Sequence, residues 1–369
     1  MRRRVLIVPD KFKGTLTASA AAEAMARGWR RARPADYLEL LPMTDGGDGF
    51  GEVISRLLGA KRLITRTVDA AGRPCLGHWW WAESSKTAII ESATVIGLAL
   101  LPPKRFHPFD LDTSGLGAVF RAASRKKART CLVGIGGSAT NDGGFGLARA
   151  VGWSFCRRDR TLVENWTQLT EARQLCPPTH RLVFPEVRVA VDVQNPLLGA
   201  RGASRIYGPQ KGLKPEEFSK AEGCLRAVAR LVRASLGREL AKVPGAGAAG
   251  GLGFGLMAFI GAKLEPGFEL FARHAALARR LRACDLVVTG EGAVDASTLM
   301  GKGVGEIARC CRASGIPCFA LAGIVKADGR ARRAFSKVLA LLELTTESEA
   351  REHPAYWLEV LTSQVASET

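Results

Sequence analysis

No CxxC pair occurs in this sequence; its nine cysteines are scattered, with only Cys310 and Cys311 adjacent. That pattern argues against a disulfide framework and against a zinc ribbon. It reads as reduced thiols in a cytoplasmic protein, most of them small core residues. Histidine is equally scarce: His78, His107, His180, His274 and His353 stand apart without ligand spacing, so a histidine-rich metal centre is not expected. Long apolar runs are missing as well. After the initial basic residues only four apolar residues precede Pro9 and Asp10, too few for a signal peptide. The single uncharged stretch of membrane length, residues 243–262, holds seven glycines and a proline. Too little apolar surface remains there for a span, and the stretch reads as a glycine-rich loop feeding a buried helix.

Net charge is +18, from 53 basic and 35 acidic residues. A basic excess raises the local concentration of anionic partners. The basic residues are dispersed, however, with no zinc-finger spacing, no aromatic RNA-binding signature and no long basic tail. A solvated surface is expected, and no nucleic-acid partner.

A length of 369 residues exceeds one ordinary core and implies two domains. The 41 glycines are clustered, as happens where backbone approaches something closely. A pattern recurs: a short apolar run, then glycine with small polar or acidic residues, then a helix-like stretch. Such runs end before Asp10, before TDGGDG, before GGSATNDGG, before Asp192, before TGEG and before Gly323. Runs of this kind suit strands buried on both faces of a parallel sheet. Between them, Thr17 or Ser19 can cap a helix closed by Pro34, and an apolar stripe from Phe218 to Leu236 stops at Gly237. Residues 62–93 differ, alternating β-branched, aromatic and polar residues around AGRP and ESSK turns, so antiparallel hairpins are expected there. Trp79, Trp80 and Trp81 cannot all face one core on such a strand, and their expected role is packing. The fold class is therefore α/β: a parallel-sheet, Rossmann- or flavodoxin-like domain from residues 1–61 and 275–369, with a mixed α/β domain, 62–274, inserted.

Ligands of open α/β sheets bind at the carboxyl ends of strands. Gly136, Gly137, Ser138, Thr140, Asn141, Asp142, Gly143 and Gly144 form the richest such cluster, where backbone N–H groups could converge on an anion. Asp45 and Asp48 in TDGGDG repeat the logic, though Asp-Gly-Gly is also turn chemistry. Glu291 and Asp295 form a third acidic pair, followed by Lys302. Lys13 and Lys211 lie in glycine-flanked loops. Carboxylates, cationic groups and N–H donors are what phosphoryl transfer requires. The GxxxxGK[ST] cradle and the protein-kinase signatures are both absent.

Seven collinear blocks carry a resemblance: VPDKFKGTLTA, LPMTDGGDG, GIGGSATNDGG, VAVDVQNPL, YGPQKG, PGAGAAGGLGFG and TGEGAVDASTLMGKG. From about Val5 to Ile324 the chain resembles the two-domain bacterial glycerate kinases. The resemblance implies ATP and D-glycerate as substrates, Mg²⁺ as cofactor and phosphoglycerate, commonly 2-phosphoglycerate, as product. The family usually has serine where Lys11 stands, arginine at Ala293, and serine-glutamine at Ala296 and Ser297. On this reading ATP lies against GGSATND and the segment containing Gly250 and Gly251, within an interdomain cleft. Asp45 and Asp48 would hold the metal, and Asp192 would be the base, with Asp295 second. Lys13 and Lys211 would offset anionic charge. Asp10, Lys11, Asn195, Glu291 and Lys302 would complete the substrate and nucleotide contacts. A kinase of another small hydroxy acid is the alternative, a basic nucleic-acid-binding protein a remoter one, and homodimer formation stays open.

Overall fold

The computed structural model describes residues 2–299, 303–326 and 332–369. In chain order its strands are β1 (Arg4–Ile7), β2 (Tyr37–Leu40), β3 (Lys61–Val68), β4 (Pro74–Ala82), β5 (Thr87–Glu91), β6 (Thr130–Gly134), β7 (Ser154–Cys156), β8 (Gln174–Cys176), β9 (Glu186–Val191), β10 (Lys263–Pro266), β11 (Leu286–Val294), β12 (Cys318–Val325) and β13 (Lys337–Ala340). They belong to two compact units. One comprises Met1–Asp45 with Phe268–Thr369, the other Gly46–Gly267. The sequence reading put the divisions at 61/62 and 274/275. Both fall earlier, the first because helix Phe50–Leu58 packs on the sheet of the second unit: a Cβ on Gly51 would lie 1.9 Å from the Trp80 ring, and one on Gly134 2.6 Å from Phe50.

In the first unit five strands form an all-parallel sheet, ordered β13-β12-β11-β1-β2. Counted within the unit, this is the flavodoxin order, and its direction reverses between β1 and β11. Val5, Leu6 and Ile7 are buried, as a strand covered on both faces requires. Helix Ala18–Ala32 follows, its N-terminus capped by the Thr17 hydroxyl, which accepts from Ala20 N–H at 3.1 Å. Its inner face, Ala22, Met25, Ala26 and Trp29, is buried as the spacing predicts. Gly28 lets this helix meet helix Pro354–Ser367 backbone to side: a Cβ there would stand 2.2 Å from the Glu359 carbonyl oxygen. Arg27 and Arg31 pair with the Glu359 carboxylate beside that contact.

The second unit holds a six-stranded mixed sheet, β10-β9-β6-β5-β4-β3, in which β5, β6, β9 and β10 are parallel and β3 and β4 antiparallel. The hairpins predicted over residues 62–93 are thus present, and β5 carries them into the parallel half. Trp79 and Trp81 point into the core while Trp80 takes the other face over Gly51. A separate ribbon pairs β7 with β8. Helix Phe218–Leu236 ends, as read from sequence, on a left-handed Gly237. Residues 243–262 form the buried loop and helix expected of them, helix Ala248–Gly255 running into a wider turn over Leu256–Ile260. No helix among the described residues is long and apolar enough to cross a membrane.

Candidate functional site

At the carboxyl end of the first unit's sheet, β1 runs on to Asp10 and β2 to Asp45, while Glu291 lies within β11. Sequence spacing had put Glu291 after the strand; β11 instead extends through TGEG because it stays paired with β12 as far as Val294. Asp10 and Glu291 therefore flank the point where strand order reverses, the usual ligand crevice of this topology. The Asp10 N–H donates to Gly290 O at 2.8 Å, and its Oδ1 accepts the Lys11 N–H at 2.7 Å. Burial, then the charges of Asp45 and Glu291, push the Asp10 carboxyl up to about 7 against the pull of Lys11. Glu291 Oε1 accepts from the Thr298 hydroxyl at 2.7 Å, and that hydroxyl accepts the Asp295 N–H at 3.1 Å. Gly292 lets the Phe12–Lys13 backbone lie close, since a Cβ there would be 3.2 Å from Lys13 N. The Lys13 side chain is exposed. Asp10, Lys11, Lys13, Asp45, Glu291 and Asp295 thus belong to one sheet end. Lys302 lies outside the described residues.

In the second unit the adjacent parallel strands β5, β6 and β9 end at Glu91, Gly134 and Val191, so Glu91, the 135–144 loop and Asp192 share an edge. Glu91 receives the Gly49 N–H (3.0 Å) and the Gly51 N–H (2.8 Å), anchoring the start of helix Phe50–Leu58. TDGGDG then lies across the loop glycine on glycine: Gly136 N–H donates to Gly46 O at 3.2 Å, and a Cβ on Gly137 would meet Asp48 Oδ1 at 2.1 Å. Only glycine, left-handed at Gly137, permits this approach.

The loop's N–H groups are mostly spent on the protein itself, contrary to the converging anion cradle expected. Ala139 donates to Ile96 O, Thr140 to Ser138 Oγ, Gly143 to Gly250 O, and Gly144 and Gly146 to Asp142. Asp142 is wholly buried and also accepts from Thr113 N–H (3.0 Å) and Thr113 Oγ1 (2.8 Å). It organises the loop from within and is not placed to hold a metal; burial and Asp112 push it up to about 6 despite those bonds. Gly250 and Gly251 turn their bare faces to Thr140 and Gly143 rather than outward. Lys211, expected to offset anionic charge, is turned inward too: Nζ donates to Thr140 O at 2.5 Å, and burial lowers it to about 7 against the opposing pull of Asp142. Asn141 is buried, donating from Nδ2 to Ser204 Oγ at 2.9 Å, while its Oδ1 has no partner among the described residues.

Beyond Asp192, Asn195 is gripped from both ends of its amide: Tyr207 OH donates to Oδ1 at 2.6 Å, and Nδ2 donates to Arg201 O at 2.8 Å. Burial and the nearby Asp192 charge raise the Tyr207 phenol above its ordinary range. Tyr207, Ser204 and Glu91 were not singled out from sequence. Tyr207 opens YGPQKG, a block in which only the lysine carries a charge, and Ser204 lies three residues before it. Glu91 ends an apolar strand, AIIE, which is the same signature that identified Asp10 and Asp192, hidden here within the hairpin segment.

A family model described as glycerate kinase family matches residues 5–369. Among curated relatives, a protein of Halalkalibacterium halodurans named glycerate kinase is 36% identical over 322 residues, covering 86% of this chain and 85% of that one. The glycerate 2-kinase of Escherichia coli K12 is 36% identical over 316 residues, covering 83% and 82%. A crystal structure from Salmonella typhimurium LT2, described as a glycerate kinase 2, superposes with a TM-score of 0.85 at 29% identity, covering 100% of this chain and 98% of that chain.

Proposed function

The chain belongs to the glycerate kinase family of phosphotransferases, and from that membership we propose that it moves the γ-phosphoryl group of ATP onto D-glycerate, giving 2-phosphoglycerate. The observation that carries this reading is the acidic end of the first unit's sheet, where Asp10 and Glu291 flank the strand-order reversal with Asp45 beside them. Crowded, partly buried carboxylates suit a hard cation with anionic ligands of its own. Asp45 and Asp48 remain the proposed protein ligands. Mg²⁺, when bound, would offset the charge of the β- and γ-phosphates.

The chain's own part is positioning and proton handling. Asp192, at the end of β9, takes the proton of the acceptor hydroxyl. Tyr207 keeps its own proton, because burial and the Asp192 charge raise it, and so holds Asn195 in one orientation. Lys13, exposed on its loop, offsets the carboxylate of glycerate. Lys211 acts through Thr140, holding the loop that carries Asn141.

An ATP-dependent assay with D-glycerate, with the product identified by phosphorus NMR, tests the proposal. Phosphate on the 2-hydroxyl agrees with it, and phosphate on the 3-hydroxyl refutes the regiochemistry alone. Turnover of tartronate or lactate without glycerate turnover would assign another hydroxy acid.

A further inference from the structure

The geometry points to a disulfide site, independent of the kinase reading, formed by Cys156 and Cys176 across the β7–β8 ribbon, oxidised by peroxide. Their sulfurs stand 3.7 Å apart. They are diagonal neighbours in the antiparallel register, in which Ser154 faces Cys176 and Cys156 faces Gln174. A disulfide requires about 2.05 Å between sulfurs, so side-chain rotation with slight drawing-in of the ribbon brings them to bonding distance. Both residues are half-buried, so peroxide can reach them. The other seven cysteines lack that combination: Cys131, Cys224, Cys311 and Cys318 are buried, Cys284 and Cys310 are half-buried but have the buried Cys311 as their thiol neighbour, and Cys75 has no thiol neighbour among its charged partners.

The bond would close residues 157–175 into a loop already fastened at its middle, where Trp166 and Leu169 are buried and Thr167 O accepts from Cys224 Sγ. It therefore staples the root of an ordered excursion rather than bending it.

The chemistry balances in two steps. One thiol releases its proton and attacks peroxide as the thiolate, giving a sulfenic acid and a hydroxide that takes up that proton as water. The second thiol then displaces water from that sulfur, so two thiols are oxidised and one peroxide becomes two waters. Burial, then the hydrogen bond and the charge of Cys176, hold the Cys156 thiol above its ordinary range. Oxidation is consequently slow at neutral pH and speeds up as pH rises, the behaviour of a staple rather than of a fast sensor.

The test treats the full chain with hydrogen peroxide, blocks remaining thiols and maps peptides without reduction. The expected result is one linked peptide joining Cys156 to Cys176, reversed by dithiothreitol. Slower amide exchange over 157–175 and a rise in Tm of roughly 5–10 °C over the reduced protein should accompany it. Cys156→Ser and Cys176→Ser, each expected to fold, should lose the link and the Tm gain. No linked peptide, a link between other cysteines, or a link without change in exchange or Tm would overturn the inference.

Discussion

Replacing Gly250 by alanine should damage the loop that carries Asn141 without touching any proposed reacting group. Two costs add. Gly250 has φ +69°, a left-handed conformation that costs a residue with a Cβ about 1–2 kcal/mol. The new Cβ would also fall 2.0 Å from Thr140 O and 2.7 Å from Asn141 Cα, both main-chain atoms that cannot swing aside. Forcing extra carbon into a packed interior costs about 1–3 kcal/mol. The sum, about 2–5 kcal/mol, separates into its parts against Gly237→Ala. Gly237 is left-handed at φ +64° but has nothing within 4 Å of a Cβ, so that variant meets the conformational cost alone. Urea unfolding of both variants reads the difference directly, as a shift of midpoint at constant slope. Gly250→Ala should be the less stable by at least about 1 kcal/mol and should lose turnover. Equal stability of the two would refute the claim that Gly250 exists to let this segment touch the 140–143 backbone.

Asp192→Asn should lower kcat and kcat/KM together, by about 10²-fold or more, with an unchanged melting curve; near-normal turnover would remove Asp192 as base. Lys13→Ala should raise the KM for glycerate with kcat largely kept, so an unaltered KM in steady-state kinetics would count against its contact with the substrate carboxylate. Asp10 is raised to about 7 in the folded protein from 3.8, so the folded state keeps a proton that the unfolded chain releases. Stability from this group is therefore present below about pH 4 and is lost as pH rises towards 7. Asp10→Asn should flatten that decline in Tm-versus-pH scans; a variant melting below the parent at pH 8 would contradict the crowding of the three carboxylates.

Strand ends were readable because the chemistry repeats: apolar run, then glycine or acid, at Asp10, TDGGDG, GGSATNDGG and Asp192. Those runs became β1, β2, β6 and β9; β1, β6 and β9 lie inside their sheets with mostly buried residues, while β2 is an edge strand that is only partly buried. The short strands β7, β8, β10 and β13, of three or four residues each, carry no such signal. Site residues were legible as motifs and less so as roles. Composition marks GGSATNDGG as a place where backbone comes close to something; it does not say that the something is largely the protein's own residues 46–48 and 250–251. Asp142 and Lys211 illustrate the same limit, since only three dimensions reveal that both point inward.

The interior strand β1 has one neighbour close in sequence and one from much further along the chain: Arg4 N–H meets the Asp285 carboxylate across 281 positions, and Val5 aligns with Leu286. On the ribosome the second unit, a continuous stretch, can condense while β1 waits with an open edge. That edge is a ready template for a stray strand until residues 286–294 have emerged. Long-range closure of this kind is slow, and in refolding from denaturant the first unit should be the laggard.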